Sequence, residues 1–391
     1  MSALTARLSR AALNMPPSGI RKYFDLAATM KDVISLGVGE PDFITPWRTR
    51  EACIYALEKG QTSYTSNYGM LELRQAVVKS LERYYGLSYD PASEVLITVG
   101  VSEALDLALR AVINPGDEVL YLEPGYVSYA PTIMLAGGVP VPVPAKKAEG
   151  FAPDFAAFAA KITPRTKAVL LNYPCNPTGS TLTQDELAEL ARLCVAHDLL
   201  VLSDEIYSQL SYDVPHTAIA TLPGMHERTI TLNGFSKAYA MTGWRLGYAA
   251  APAEIIEVMM KIHQYTMLCA PITAQKAALE ALANGHDDMR DMIDEYCMRR
   301  NFFVRRLNEI GMPCHVPQGA FYAFPSIAAT DLNADRFAVQ LLEEEKVVVV
   351  PGDVFGPTGA GHIRCSYATA LDKLAEACVR MERFVQRHRR Q

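Results

Sequence analysis

Through the middle of the chain, short and largely apolar runs alternate with longer stretches that are apolar at every third or fourth position. The short runs lie at residues 95–99 (VLITV), 118–122, 139–143, 167–171, 199–202 and 229–232. Runs of that length, bounded by Gly, Pro, Asn or Asp, predict strands, those at 95–99 and 167–171 buried. The longer pattern is clearest at 71–84, where Leu73, Arg74 and Val77 repeat on one face, and at 184–197, where Leu187, Leu190, Ala191 and Cys194 point inward. Further helical patterns open at residue 100 and cover 127–135 and 153–161. Strands separated by helices predict a mostly parallel sheet with helices on both faces, an α/β fold.

Outside this region the patterning changes. A short strand is expected at 33–36. After residue 248 helices are expected at 253–263 and 274–283, then a long one at 287–310 that links two lobes. A strand at 319–324, a helix at 334–345, an apolar run at 347–350 and a half-exposed strand at 362–368 complete the chain. At 391 residues it exceeds what one ordinary core supports, which predicts two domains or one large domain with a lobe.

Composition narrows the possibilities. Half the residues are hydrophobic and a fifth charged, as in an ordinary globular protein, and a net charge of -6 argues against a nucleic-acid partner. The eight cysteines include no C-x-x-C pair, so neither a zinc site nor a disulfide framework is indicated, and reduced thiols in a cytoplasm are the plain reading. No apolar run approaches the length of a membrane span. The first twenty-four residues carry Arg, Ser and Ala with no acid before Asp25, faintly like an organellar transit peptide. An N-terminal arm of the mature fold is preferred, because Arg21 to Phe24 run into patterned sequence without a linker.

The chemistry centres on residues 231–248, TLNGFSKAYAMTGWRLGY. Lys237 sits between a strand-like run and a Gly/Ser-rich turn, where burial can lower its pKa as Schiff-base chemistry with a carbonyl requires. Ser236 and Arg245 match a phosphate nearby, so an aldehyde cofactor with a phosphate handle is indicated. At 100–102 a strand meets a helix through Gly100, Val101 and Ser102, a ready anion site, although any strand-glycine-helix turn looks similar. Residues 37–43 begin like a dinucleotide fingerprint, but Asp42 stands at the third glycine position and Pro41 interrupts the helix start. Gly37 and Gly39 then serve either a ligand-facing turn or a plain tight turn. Tyr126 follows Pro-Gly, as a stacking ring or as loop packing. Asp204, at a strand end three residues before Tyr207, is either a helix N-cap or a buried carboxylate that needs a partner. Arg364 suits bidentate binding of a carboxylate, with a surface salt bridge as the plain alternative.

Several of these segments together resemble the class I/II aminotransferases, of the aspartate/aromatic aminotransferase type. They are G-x-P-D-F at 39–43, Y-T-x-x-x-G-x-x-x-L-R at 64–74, P-x-N-P-T-G at 174–179, D-E-x-Y at 204–207, S-K followed by G-x-R-x-G at 236–247, and R-x-S-Y-A at 364–368. The resemblance runs from residue 34 to 368 in family order. It implies a fold type I architecture: a large cofactor-binding domain at 48–285 with a seven-stranded, mostly parallel sheet, and a smaller α+β domain from 1–47 and 286–391. It implies pyridoxal 5'-phosphate bound through Lys237, with Asp204 on the ring nitrogen and Asn176 and Tyr207 on the phenolic oxygen. Tyr126 would stack on the ring, and Gly100, Val101, Ser102, Ser236 and Arg245 would hold the phosphate. Tyr64 would reach the neighbour's phosphate in a homodimer, and Gly39, Asn176 and Arg364 would hold the substrate carboxylate. Lys237, Asp204 and Tyr207 are the expected catalytic residues, for transfer of an amino group between an L-amino acid and a 2-oxo acid such as 2-oxoglutarate. The same machinery serves β-elimination in C-S lyase relatives, and a non-enzymatic regulator is a further alternative. Two positions depart from the pattern. Ser102 stands where some aspartate-using relatives carry lysine, which puts a dicarboxylate preference in doubt. Gly234 stands where many carry a phosphate-binding serine.

Overall fold

A computed structural model describes residues 4–13, 15, 19–28 and 30–390. Parts of the expected N-terminal arm, residues 1–3, 14 and 16–18, lie outside the described residues. Its strands in chain order are β1 (Ile34–Ser35), β2 (Val95–Thr98), β3 (Glu118–Glu123), β4 (Val139–Pro144), β5 (Thr166–Asn172) and β6 (Leu200–Asp204). They continue with β7 (Thr229–Gly234), β8 (Gly247–Ala250), β9 (Tyr322–Ala323), β10 (Val347–Val348), β11 (Val350–Pro351) and β12 (Ile363–Ser366).

Seven strands form the central sheet, in the order β2-β8-β7-β6-β5-β3-β4. All neighbouring pairs are parallel except those of β8, which runs antiparallel to β2 and β7. Helices Gly100–Val112 and Ala253–Thr266 cover one face over a core of Leu96, Leu105, Ile230 and Met259. Helix Gln184–Ala196 packs Leu187, Leu190 and Cys194 with Val169 and Val201. It starts with a complete capping box between Thr183 and Glu186. In register, Asn172 lies opposite Asp204 and Asp204 opposite Leu232, so the carboxyl ends of β5, β6 and β7 form one edge. That edge is where α/β sheets bind ligands.

Two small sheets lie beside it. β1 pairs in parallel with β10, so residues near the N-terminus and near the C-terminus share a sheet, and β9 and β11 flank β12 antiparallel. The long helix is His286–Glu309, and it carries the buried Arg299 and Arg300. The closing basic run is paired within the protein: Arg383 and Arg387 both bond the buried Glu345, and His388 bonds Glu344. Among the described residues no helix is long and apolar enough to cross a membrane.

Some local expectations change. The strand at 362–368 is not half-exposed. Its ladder residues Ile363–Ser366 are all buried, because one face meets the cavity and the other meets the core around Cys365 and Cys378. At 319–324 only Tyr322–Ala323 forms a ladder, since Gly319 instead makes an isolated bridge to Ser211. The run 347–350 divides between two sheets, β10 and β11.

Candidate active site

The carboxyl edge of the central sheet and the strand β12 enclose a cavity of about 810 Å³. Gly39, Val101, Ser102, Tyr126, Asn176, Asp204, Tyr207, Ser236, Lys237, Arg245 and Arg364 all line it. Gly100 lies just beneath. Its φ is +73°, and a Cβ there would stand 2.6 Å from Arg245 Nη2, so only glycine lets the guanidinium rest on this turn. Tyr64 is not among the lining residues; it is 82% exposed. Ile20, from the segment before β1, also lines the cavity.

Lys237 follows β7 on a turn that buries its side chain. Its Nζ donates to the Gly39 carbonyl at 2.6 Å and lies about 6 Å from the ring centres of Tyr207 (5.9 Å) and Phe321 (5.8 Å). Burial lowers its pKa from 10.5 to about 8; Glu40 opposes the change, while the Arg364 and Arg245 cations add to it. Asp204 ends β6. Burial raises its carboxyl from 3.8 to about 6, against the hydrogen bonds that Oδ2 accepts from the Tyr129 hydroxyl at 2.8 Å and Oδ1 accepts from the Ile206 N–H at 3.2 Å. A buried carboxylate held only by neutral donors is short of a cation. No helix directly follows Asp204, so it caps none; its Oδ1 only holds the turn at Ile206.

Arg364, on β12, is 2% exposed. Its Nη1 donates to Asn176 Oδ1 at 2.9 Å, its Nη2 donates to the Gly37 carbonyl at 2.6 Å, and its Nε is buried without a partner. The guanidinium lies over the rings of Tyr322 and Phe355 at 4.5 and 4.9 Å. With Asn176 Oδ1 occupied, the amide NH2 is the end of that side chain left to donate. The Asn176 backbone is fixed in turn, its N–H donating to Asn172 Oδ1, while Asn172 Nδ2 donates to the Asp204 carbonyl. Cys175 beside it is buried and its thiol pushed up by burial, which makes it inert. The loop carrying Gly37 and Gly39 is anchored from behind by Asp42, which takes two hydrogen bonds from Arg299 at 2.9 and 2.8 Å.

Three residues of the site carry no sequence signal of their own. Tyr129, which bonds Asp204, lies in a helix read only as apolar. Tyr322 bonds the Tyr207 hydroxyl at 2.9 Å and supports Arg364. Glu40 accepts from Thr242 Oγ1 at 2.9 Å at the cavity rim. The departure at Gly234 has a steric cause: a Cβ there would lie 2.9 Å from Gly247 Cα and 3.0 Å from the Leu246 carbonyl.

Comparison with known proteins bears on this arrangement. The sequence pattern described as aminotransferase class I and II matches residues 31–381. The chain is 55% identical to the protein YugH of Bacillus subtilis (strain 168), over 98% of this chain and 99% of that one. It is 48% identical to an aspartate aminotransferase of Pyrococcus abyssi, over 94% and 96% of the two. Among solved structures, an aromatic aminotransferase from Pyrococcus horikoshii superimposes with a TM-score of 0.90 at 46% identity, covering 94% of this chain and 99% of the other.

Proposed function

Because the chain belongs to the class I and II aminotransferase family and is an enzyme of the transaminase type, we propose that it moves the amino group of an L-amino acid, aspartate, aromatic or similar, to a 2-oxo acid such as 2-oxoglutarate, with pyridoxal 5'-phosphate held in this cavity. The observation that carries the reading is a buried amine of lowered pKa, Lys237, sharing one cavity with the buried carboxylate of Asp204 and the buried guanidinium of Arg364.

The residues fit the cofactor. Asp204 lacks a cation, which a protonated ring nitrogen would provide. Arg245 and the helix start at Gly100, Val101 and Ser102, with Ser236, offer donors for a dianionic phosphate. Tyr126 offers a ring face, and Tyr207 and the Asn176 NH2 are donors for the phenolic oxygen. Bound there, the cofactor supplies an electron-withdrawing ring that stabilises negative charge at the substrate α-carbon. Lys237 would be the base that takes the proton from the substrate α-carbon and the acid that delivers it to the neighbouring C4' carbon of the cofactor, a role that its lowered pKa suits near neutral pH. Arg364 grips the substrate carboxylate with the donor that now lacks a partner, and Gly39 borders the same spot. Burial around it excludes water from the proton transfer.

The active unit in this reading is a homodimer, with Tyr64 serving the partner's phosphate; its exposure, and its absence from the lining of its own chain's cavity, support that. Residues 48–285 act as the cofactor-binding unit, and 1–47 with 286–391 as the smaller unit that brings Arg364 over it. Eight cysteines without a disulfide suit a reducing cytoplasm.

The test is a screen of half-reactions. Cofactor-loaded enzyme is mixed with single amino acids, and the conversion of bound pyridoxal to the pyridoxamine form is followed by absorbance. Conversion with at least one donor, and its reversal by a 2-oxo acid, is expected. Pyruvate and ammonia from cystathionine without the pyridoxamine form would make the protein a C-S lyase, and absence of a bound chromophore would end the reading.

A further inference from the structure

We infer that Glu103 and His263, neither of which lines the cavity, hold the first turn of the Gly100–Val112 helix in the shape that grips the cofactor phosphate. They are positioning residues, and the inference rests on the function proposed above.

The turn cannot hold itself. A helix start leaves its first N–H groups without intrahelical partners, and they are fixed in space only if something caps the turn. The N-cap here is Val99, whose side chain has no acceptor and makes no capping bond. Glu103 takes over from one turn inside: its Oε2 accepts the Val99 N–H. That leaves the N–H groups of Gly100, Val101 and Ser102 for an anion, while the donor behind them is tied down.

The same carboxylate poses a problem that His263 resolves. An acid in the first turn complements the helix dipole, but one free to swing toward the mouth would repel a phosphate there. Both oxygens of Glu103 are committed. Oε1 meets His263 Nδ1 at 2.6 Å, with the ring nitrogen as donor. His263 comes from the Ala253–Thr266 helix packed alongside, and it is 0% exposed. Its Nε2 is buried without a partner, so the ring is kept in the core at a cost, and Glu103 is the side chain its nitrogens bond. The turn is also in contact with Arg245, since a Cβ on Gly100 would meet that guanidinium. A shift of the turn therefore disturbs both the backbone donors and the arginine.

Binding to the full chain, freed of cofactor, tests this. Pyridoxal 5'-phosphate and pyridoxal, which lacks the phosphate, are titrated separately, with circular dichroism as a check on folding. Glu103→Ala and His263→Leu are expected to weaken the phosphorylated ligand about tenfold, the scale of one buried hydrogen bond to a charged group. Pyridoxal itself should bind as to the unaltered protein. Val99→Pro removes the N–H donor, at a φ of -78° that proline accepts, and exchanges one apolar side chain packed on the core for another; it should give the same signature if the other two variants fold poorly. Glu103→Gln keeps an acceptor for the Val99 N–H, and its NH2 donates to His263 Nδ1 once the imidazole carries its proton on Nε2, so binding should return to within about threefold. Equal weakening of both ligands, no weakening of either, or a Gln variant as defective as the Ala variant would overturn the inference. An unaltered protein that binds both ligands equally would instead remove the phosphate site, and with it the proposed function.

Discussion

Asp204 shows how a single residue can be costly in the empty protein and useful in the working one. Its carboxyl is raised from 3.8 to about 6 by burial. Between those values the folded protein keeps a proton that the unfolded chain has released, so stability of the cofactor-free protein falls as pH rises through that window. The cost at neutral pH is of the order of 3 kcal/mol. Asp204→Asn should therefore raise the Tm of the cofactor-free protein at about pH 7.5, with the gain vanishing near pH 4, while turnover of the loaded enzyme falls by orders of magnitude. A Tm difference independent of pH would contradict this. Lys237 gives a second measurement. Only the neutral amine attacks an aldehyde, and burial brings its pKa to about 8. Capture of the cofactor by the empty protein should quicken about tenfold per pH unit up to that value and then level off; a rise that continues to about pH 10 would mean an ordinary lysine.

At the scale of elements, the meeting of β7, β8 and the Gly100–Val112 helix sets the phosphate end of the site. Gly234 and Gly247 let the strands and the helix start come within Cβ distance of one another, with Val101 Cγ2 only 3.1 Å from a Cβ built on Gly234. Gly234→Ser, which restores the residue expected from the family pattern, should here lower stability by about 1–3 kcal/mol through overpacking, read as a drop in Tm, and should not tighten cofactor binding. Legibility differed among elements for a plain reason. The inner strands β5 and β6 are readable because burial on both faces makes them largely apolar. In the strand at 362–368 Arg364 and Ser366 alternate with apolar neighbours, a pattern that predicts half-exposure, and that alternation here reflects a buried polar cavity instead of solvent.

At the scale of the whole molecule, the cavity in one chain leaves Tyr64 outside and 82% exposed. In the homodimer proposed above, Tyr64 would be covered by the partner subunit. The protein should sediment as a dimer, and Tyr64→Phe should weaken retention of pyridoxal 5'-phosphate about tenfold with little change in the Tm of the cofactor-free protein. A monomer with full activity would refute the shared site.

What the sequence determined by itself was the order of strands and helices and the identity of the groups able to do chemistry, because periodicity and side-chain type are local properties. Lys237, Asp204, Asn176 and Arg364 are visible in this way. The tertiary structure decided which of their hydrogen bonds are already taken and how far each is from water. Tyr129 on Asp204, Tyr322 on Tyr207, and His263 on Glu103 join residues 75, 115 and 160 positions apart. No local pattern encodes such pairs, since they arise only when separate helices and strands pack against one another. The same packing removes water from Lys237 and Asp204, and that desolvation turns an ordinary amine and an ordinary carboxylate into the two perturbed groups of the site.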